Sequence, residues 1–218
     1  MANNEDKKKA LDAAIAKLEK DFGKGTVMKS LLQKYDNYAL SISATTRQPR
    51  PGEVDGREYF FKTREEFEQM IVEDKLLEHA QYVGNYYGTP RDYVEHKLED
   101  GFDVILEIEI QGALKVKEKF PDTVLMFLMP PTADELKKRL EGRGTEDEAT
   151  IKKRLLRAVE ESQGVEEYDY IVINDVLDDC VEQIHEIIGN EHCKASNNLE
   201  KINQFRDELT NMWKGDIR

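Results

Sequence analysis

The spacing of apolar residues near the start of the chain predicts a helix over residues 5–22. Four apolar residues there are separated by four, three and four positions: Leu11, Ile15, Leu18 and Phe22. Lysines and acids fill the other positions, so the apolar side chains form one stripe of an amphipathic helix. Gly23 follows at a place where a glycine commonly ends a helix. Residues 27–34 then predict a second, short helix.

The stretch from about residue 38 to residue 189 alternates between strand and helix patterns. Segments of apolar and branched residues predict strands at 38–46, 103–110, 122–131 and 168–175, with a strand pair around a Gly-Asn turn at 77–90. Amphipathic or capped segments predict helices at 63–76, 91–101, 111–120, 132–163 and 176–189. This order predicts an α/β fold with a parallel sheet, followed by a polar helical tail at 190–218.

The composition narrows the classes of partner. The 218 residues are 39% hydrophobic and 35% charged, with a formal net charge of -13. A chain of this length can bury a hydrophobic core of its own. Its negative net charge disfavours binding to the nucleic-acid backbone, which is also negative and attracts basic surfaces. We therefore expect no nucleic-acid partner. A small anionic ligand held by a local group of arginines is compatible with these numbers.

Targeting and cysteine patterns predict a cytoplasmic protein without a membrane partner. The N-terminal residues carry acids early and lack an apolar segment of signal-peptide length, and no stretch approaches a membrane span. Two cysteines, Cys180 and Cys193, imply no disulfide framework. With His185 and His192 they lie close enough in sequence to suggest a metal site. Their spacing fits no standard zinc pattern, which favours ordinary thiols and surface histidines.

The densest chemical cluster is the loop "SISATTRQPRPGEVDGREYFF" at residues 41–61. Arg47 and Arg50 flank a proline that stiffens the loop, so both guanidinium groups can be presented together. With the hydroxyl of Tyr59 they suit a phosphate dianion, because guanidinium groups form paired, charge-assisted bonds with it. The alternative is a solvated loop with scattered charges. The concentration of positive charge in an acidic chain favours the phosphate site.

Two further clusters carry candidate chemistry. Arg139, Arg143 and Arg154 lie on or beside a Gly-Arg-Gly hinge that can close over a ligand, although a charged helical hairpin is the alternative. Glu107 and Glu109 alternate at the end of an apolar strand, where open α/β sheets place their sites. Carboxylates at that position can organise Mg²⁺ or a ligand hydroxyl. An exposed strand end is the alternative.

Residues 23–26 match the second half of a phosphate-binding loop. Gly23, Lys24, Gly25 and Thr26 can wrap nucleotide phosphates, with Lys24 reaching the outer oxygens. The full motif is G-x-x-x-x-G-K and follows a buried strand. In this chain Leu18 occupies the position of the earlier glycine. The lead-in has the helical pattern described above rather than that of a strand.

From about residue 23 to residue 189 the chain resembles guanylate kinase, a P-loop kinase family that transfers a phosphoryl group from ATP to GMP. The resemblance is carried by motifs in the family's order: "SATTRQPRPGEVDGREYFF", "GNYYGTPR", "ILEIEIQGA", "PPTADELKKRLEGRGT" and "YDYIVIND". It implies a P-loop kinase-like parallel sheet with a GMP-binding subdomain at about 41–92 and a helical lid at about 134–162. It also implies ATP and GMP as substrates in purine nucleotide metabolism.

The same resemblance implies roles for single residues. The positions that resemble those around the GMP phosphate are Ser43, Arg47, Arg50, Tyr59 and Tyr87. Glu78 and Thr89 resemble the residues that bind the guanine edge, where a carboxylate accepting from N1 and N2 discriminates against adenine. Glu107 and Glu109 resemble the acidic pair near guanine and metal, although the family often has Asp at the second position. The resemblance implies catalytic roles for Lys24, Arg139, Arg143 and Arg154. It implies that ATP is bound by Gly23, Lys24, Gly25, Thr26 and Asn174.

The resemblance implies Mg²⁺ bound with ATP through the nucleotide phosphates, near Thr26 and Glu107, with no metal held by the protein alone. Phosphoryl transfer depends mainly on positioning and on neutralising charge, which lid arginines, a basic acceptor loop and Lys24 would supply. We expect a monomer or a homodimer.

The front of the chain departs from that family. Residues 1–29 resemble the N-terminal helix of RecA-type recombinases, which also runs into a Phe-Gly-Lys-Gly sequence. We therefore predict a junction of two unrelated sequences, with the first core strand missing and an N-terminal helix in its place. Each buried backbone group left unpaired costs about 1–3 kcal/mol, against a total stability of about 5–15 kcal/mol. The stripe of the helix can cover some of the exposed apolar surface.

These observations predict three segments: 1–29 with the helix and partial P-loop, 30–189 with the kinase-like domain, and 190–218 as the tail. The predicted function is transfer of the γ-phosphoryl group of ATP to GMP, with the acceptor site better preserved than the donor site. A module that binds GMP or a protein without catalysis is the alternative. A recombinase fragment acting on DNA is disfavoured by the net charge and by the absence of a recombinase ATPase core.

Overall fold

The computed structural model describes residues 24–82, 84–142 and 148–215, which form a mixed α/β fold. The strands are β1 Tyr38–Leu40, β2 Ala44–Thr45, β3 Phe60–Phe61, β4 Leu76–Tyr82, β5 Asn85–Pro90, β6 Asp103–Ile105, β7 Met126–Met129 and β8 Tyr170–Ile173. The helices are α1 Lys24–Lys34, α2 Arg64–Val72, α3 Arg91–Glu99, α4 Ile110–Lys119, α5 Ala133–Gly142, α6 Glu148–Ser162, α7 Leu177–His192 and α8 Leu199–Gly215.

Local sequence signals account for several of these boundaries. Thr63 caps α2, with its Oγ1 accepting from the backbone N–H of Glu66 at 3.1 Å. The Glu66 carboxylate accepts from the backbone N–H of Thr63 at 2.7 Å, which completes a capping box. After α3 the chain turns at Gly101, whose φ of +88° favours glycine. These two helices begin and end close to the predicted positions.

The strands form three sheets in the described ranges rather than one. β1 pairs in parallel with β6, and β7 pairs in parallel with β8. The third sheet has the order β3-β2-β5-β4 and is mixed, with β5 antiparallel to both of its neighbours. Two residues connect β4 to β5, too few for the crossover that a parallel pair requires. The predicted α/β class and parallel strand pairing are confirmed.

Two predicted strands are shorter than their apolar patterns. The segment 38–46 is divided, because Ser41 N donates to Ile105 O at 2.9 Å and ends the pairing of β1 with β6. Ala44 then pairs with Phe60 and Gly88 in the other sheet. The segment 103–110 stops pairing at Ile105. A single apolar stretch in the sequence can therefore include two short strands, each paired with a different neighbouring strand.

The largest core cluster lies where α1 packs on α7 and on the two parallel strand pairs. Its buried members are Val27, Leu31, Tyr38, Val172, Cys180, Val181 and Ile184. A second cluster, around Phe67, supports the mixed sheet. A third joins Leu77, Val94 and Val116. Helix α8 exposes apolar side chains, including Phe205 and Trp213.

The strands β6 and β7 border a cleft of about 700 Å³, and no strand of the described ranges lies between them. The predicted helix over 5–22 and the predicted absence of a first strand lie outside the described residues. Of the RecA-like segment 1–29, the structure describes only residues 24–29, which belong to α1. Within the described ranges, none of the helices has the length and apolar character required to cross a bilayer.

Candidate active site

The mixed sheet presents one polar face and one face packed on the core. Tyr87 and Thr89 alternate along β5 and therefore lie on the same face. Gly88 lies on the opposite face, where an added Cβ would come within 2.8 Å of the Glu78 carbonyl oxygen and 3.1 Å of the Phe67 ring. The close packing of Phe67 against Gly88 thus fixes the sheet from behind. The polar face is held in place by a buried apolar support.

Glu78 and Thr89 form a buried polar pair on adjacent strands. The Thr89 hydroxyl donates to Glu78 Oε1 at 2.8 Å, and both side chains are buried. Burial raises the pKa of Glu78, while the hydrogen bond from Thr89 and the charge of Lys115 offset part of that effect. The carboxylate can therefore accept further hydrogen bonds in a site of low dielectric, where each bond is stronger than in water.

The sequence pattern did not indicate that Gly112 contributes to this pair. A Cβ at Gly112, in the first turn of α4, would lie 2.8 Å from Glu78 Oε2. A larger residue at this position would force the Glu78 carboxylate to move away from α4. A glycine inside a helix is intrinsically unfavourable, so its presence in "EIQGAL" was a signal of close approach.

Arg47 is held by the carboxylate of Glu53, a partner that the sequence pattern did not indicate. Its Nη1 and Nη2 donate to Glu53 Oε2 and Oε1 at 3.0 and 2.9 Å, a bidentate pair. This pairing lowers the pKa of Glu53. The Arg47 guanidinium carbon lies 5.3 Å from the ring centre of Tyr59, and that ring lies 6.2 Å from the ring of Tyr87. Glu53 thus fixes the guanidinium beside two phenol rings.

The rest of the predicted phosphate cluster surrounds this arrangement. The backbone N–H of Arg50 donates to the same Glu53 carboxylate at 2.6 Å, and the Arg50 side chain is exposed. The carbonyl of Ser43 accepts from Phe60 N at 2.9 Å and joins β2 to β3. The structure therefore brings the side chains of Arg47, Tyr59 and Tyr87 together. Arg50 lies in the same loop as Arg47, and Ser43 directly precedes β2.

The predicted lid and donor residues are distributed more widely. Arg139 Nε donates to Glu135 at 2.8 Å, and its Nη1 donates to the carbonyl of Asn174 at 2.9 Å, which ties α5 to the end of β8. Arg154 is exposed on α6. Gly23 and Arg143 lie outside the described residues, and only the backbone of Lys24 is described. Gly25 and Thr26 form the first turn of α1, with Gly25 exposed and Thr26 buried.

The acidic pair lies beyond the end of β6. Glu107 and Glu109 are both exposed, and Glu109 immediately precedes α4. Glu109 forms an ion pair with Arg157 of α6, a contact that the sequence did not indicate. This ion pair links the predicted lid to the segment that follows β6.

No group of three or more His, Cys, Asp and Glu side chains that could hold a metal ion occurs within the described ranges. The cysteines and histidines considered above have separate surroundings. Burial raises the pKa of the Cys180 thiol to about 11, whereas Cys193 is exposed. His185 stacks on Tyr35 with ring centres 3.7 Å apart, and His192 lies 2.8 Å from Asp103.

Comparisons with known proteins agree on one family. A sequence profile described as guanylate kinase matches residues 18–191. The guanylate kinase of Caldanaerobacter subterraneus subsp. tengcongensis is 53% identical over 186 residues, covering 85% of this chain and 90% of that protein. The guanylate kinase of Halalkalibacterium halodurans is 54% identical over 183 residues, covering 84% of this chain and 90% of that protein.

A solved structure gives the same result at the level of the fold. The crystal structure of guanylate kinase from Anaplasma phagocytophilum superposes with a TM-score of 0.65 and 33% sequence identity. The match covers 81% of this chain and 87% of that one.

Proposed function

The chain belongs to the guanylate kinase family, and we propose that it transfers the γ-phosphoryl group of ATP to GMP, yielding ADP and GDP. The observation that carries this proposal is the polar face of the mixed sheet. One part of that face has a guanidinium beside two phenol rings, and another has a buried carboxylate bonded to a hydroxyl. These are complementary to the two ends of GMP.

Glu78 and Thr89 bind the guanine edge in this proposal. An ionised Glu78 accepts from guanine N1 and N2, a donor pair that adenine lacks. Thr89 already donates to Oε1 at 2.8 Å, which orients the carboxylate and leaves Oε2 on the side of Gly112. The raised pKa is consistent with a desolvated group whose hydrogen bonds to a ligand are strong.

The GMP phosphate is bound by five residues: Ser43, Arg47, Arg50, Tyr59 and Tyr87. Arg47 approaches the phosphate with its orientation already set by Glu53. This lowers the conformational entropy lost when GMP binds, because a free arginine side chain samples many rotamers. Glu53 is therefore a positioning residue for Arg47.

Glu107 and Glu109 form the acidic pair near the guanine and the metal in this proposal.

The ATP phosphates are bound by Gly23, Lys24, Gly25 and Thr26, and Asn174 contributes to the adenine end. Mg²⁺ would supply charge neutralisation at the phosphates, and the Thr26 hydroxyl and the Glu107 carboxylate are oxygen donors of the kind that would hold it. The lid is residues 134–162, and its arginines, Arg139, Arg143 and Arg154, neutralise the transferred group. The contact of Arg139 with the Asn174 carbonyl supports a lid that reaches the donor side.

We assign the kinase-like domain to residues 30–189, with a preceding segment 1–29 and a tail 190–218. One observation supports the rival function of binding GMP without catalysis. The strands that flank the donor side are separated by a cleft, and the P-loop sequence has only its second half. In this alternative function, the acceptor site binds GMP, and the donor site does not bind ATP.

A coupled assay of ADP release from ATP and GMP tests the proposal. We expect GMP-dependent ADP release with the full chain, and slower release from the Glu78→Gln variant at GMP concentrations near KM. Glu65→Gln, on the exposed face of α2, is the matched control and should keep full activity. Calorimetry with each nucleotide separates the rivals: heat from GMP with no heat from ATP and no turnover supports the binding module and rejects the kinase.

A further inference from the structure

The start of α4 contacts the helix α6 and the chain that follows it. Glu109, which immediately precedes α4, forms an ion pair with Arg157 of α6, in which the guanidinium Nη2 donates to Oε2 of the carboxylate. At Gly164, directly after α6, an added Cβ would lie 3.2 Å from the Cγ2 atom of Ile110, the first residue of α4. One polar contact and one apolar contact therefore join α6 to the start of α4.

The same turn of α4 also contacts the carboxylate of Glu78. An added Cβ at Gly112, the third residue of α4, would lie 2.8 Å from Glu78 Oε2. The residue before a helix and the third residue within it lie on the same side of the first turn, as in a capping box. Burial is the main cause of the raised pKa of Glu78, and the negative charge of Glu109 adds to it. The first turn of α4 thus connects the Glu78 carboxylate with α6.

Helix α6 presents a second arginine beside Arg157. Arg154 lies three positions earlier, and residues three apart on a helix are surface neighbours with Cβ atoms about 5–6 Å apart. In the function proposed above, Arg154 neutralises the transferred phosphoryl group. The ion pair of Arg157 with Glu109 therefore holds the part of α6 from which Arg154 projects.

The two helices of the lid are attached to different parts of the molecule. α5 is tied to the end of β8 by Arg139, which donates to the carbonyl of Asn174 at 2.9 Å. α6 is tied to the start of α4 by Arg157. The side chains of Arg157 and Glu109 are 32% and 61% exposed, and ion pairs at such positions stabilise a fold little, because water screens them. We therefore expect this pair to affect the orientation of α6 more than the stability of the fold.

We propose that Arg157 is a positioning residue that couples binding of GMP at Glu78 to the orientation of the lid helix α6. Arg157 acts through Glu109. A base held by the two carboxylates fixes Glu109 in one conformation, so less conformational entropy is lost when Glu109 pairs with Arg157. By linkage, an α6 held in this orientation favours GMP in return. The inference rests on the proposed function, because it takes Glu78 as the guanine acceptor and Arg154 as a lid arginine.

Steady-state kinetics of ADP release is the first test. Arg157→Ala should lower kcat about tenfold and change KM for GMP less than threefold, because a small misplacement of a transition-state group slows transfer while the guanine site is intact. Arg157→Lys keeps the charge and should lose no more than threefold in kcat. Lys137→Ala is the matched control, since this exposed lid cation pairs at 3.8 Å with Glu141 of its own helix, and it should keep full activity.

A double-mutant cycle tests whether Arg157 acts through Glu109. In the Glu109→Ala chain, the further substitution Arg157→Ala should change kcat less than twofold. A tenfold loss in both backgrounds would overturn the inference, because Arg157 would then act independently of Glu109. A fall in the melting temperature of Arg157→Ala that accounts for its lost activity would also overturn it, by showing a role in folding alone.

Hydrogen exchange gives a measurement that does not require turnover. Addition of GMP to the unsubstituted chain should slow amide exchange in residues 148–162 at least threefold. Arg157→Ala should lose this slowing while its heat of GMP binding remains. GMP heat without slowing in the unsubstituted chain, or equal slowing in Arg157→Ala, would overturn the coupling and leave the proposed GMP site standing. No GMP heat from the unsubstituted chain would reject the GMP site and the coupling together.

Discussion

The mixed sheet and the two parallel strand pairs differ in how completely their backbones are paired. In the mixed sheet, β5 lies between β2 and β4 and bonds to both, with Phe67 packed tightly behind it. The parallel pairs are two strands each and are separated by the cleft of about 700 Å³. The mixed sheet is therefore the more completely paired region, while β6 and β7 each have one edge unpaired within the described ranges.

This difference has a consequence for function. Positioning of a buried carboxylate such as Glu78 requires neighbours that cannot shift, and the mixed sheet supplies them through a hairpin and a capped helix. The donor side must align ATP with an acceptor that is already fixed. We therefore expect binding of GMP to survive perturbations that abolish transfer from ATP.

The largest expected effect is on stability, and it compares a buried side chain behind the mixed sheet with one in the core of the parallel strands. Phe67→Ala removes a fully buried ring from behind the mixed sheet and should lower the free energy of unfolding by about 3–5 kcal/mol. Ile184→Ala removes a smaller side chain from the largest core cluster and should lower the free energy of unfolding by about 2 kcal/mol. Urea unfolding followed by circular dichroism measures both. A larger loss for Ile184→Ala would contradict the comparison.

The next effect concerns recognition of guanine. Glu78→Gln removes a charged acceptor and should lower the preference for GMP over AMP in kcat/KM by about 10- to 100-fold, from hydrogen bonds worth about 1.5–3 kcal/mol. Steady-state kinetics with both nucleotides gives this ratio. Glu65→Gln should leave it unchanged, and an unchanged ratio in Glu78→Gln would remove Glu78 from the guanine site.

A smaller effect is expected at the phosphate end. Arg47→Lys keeps the charge but loses the bidentate pairing with Glu53, so the side chain is no longer held beside Tyr59. We expect KM for GMP to rise about tenfold, which corresponds to about 1.4 kcal/mol. Arg57→Lys, at an exposed position of the same loop, is the control. Equal KM values for both variants would argue against a role of Arg47 in phosphate binding.

The smallest effect is a pH dependence. Because burial raises the pKa of Glu78, the carboxyl should gain its proton at a higher pH than an ordinary glutamate, and it then stops accepting from both guanine donors. The ratio of GMP to AMP affinity should therefore fall as the pH is lowered through that raised pKa. Titration of the phosphate cancels in this ratio, since both nucleotides carry the same group. Calorimetry over a pH series measures it.

Two variants sharpen this prediction. Thr89→Val removes the hydrogen bond that lowers the pKa of Glu78, so the midpoint should move to higher pH. Glu78→Gln should abolish the pH dependence. The folded state favours the protonated carboxyl, so Glu78 also adds stability at low pH, which is lost as the pH rises through the raised pKa. A midpoint that does not move in Thr89→Val would contradict the assigned cause.

Much of the local structure could be predicted from the sequence. The capping threonine of α2, the glycine after α3 and the turn between β4 and β5 follow from backbone preferences that act over a few residues. The candidate residues Arg47, Tyr59, Glu78, Tyr87 and Thr89 came from motifs, and the structure places them on or beside one sheet. The partners of these residues were not predictable in the same way. Glu53, Gly112 and Arg157 act through contacts with side chains that the local pattern does not specify.

The sequence by itself determined which segments are helical or extended and which family the chain resembles, because periodicity and motifs are local properties. Only the tertiary structure decided which strands pair. It divided the apolar pattern at 38–46 between two sheets and brought Gly112 of α4 against Glu78 of β4. Within the described ranges it pairs β6 with β1 and β7 with β8. Strand pairing depends on hydrogen bonds between residues distant in sequence, and hydrophobicity reports that a strand is buried without reporting its neighbour.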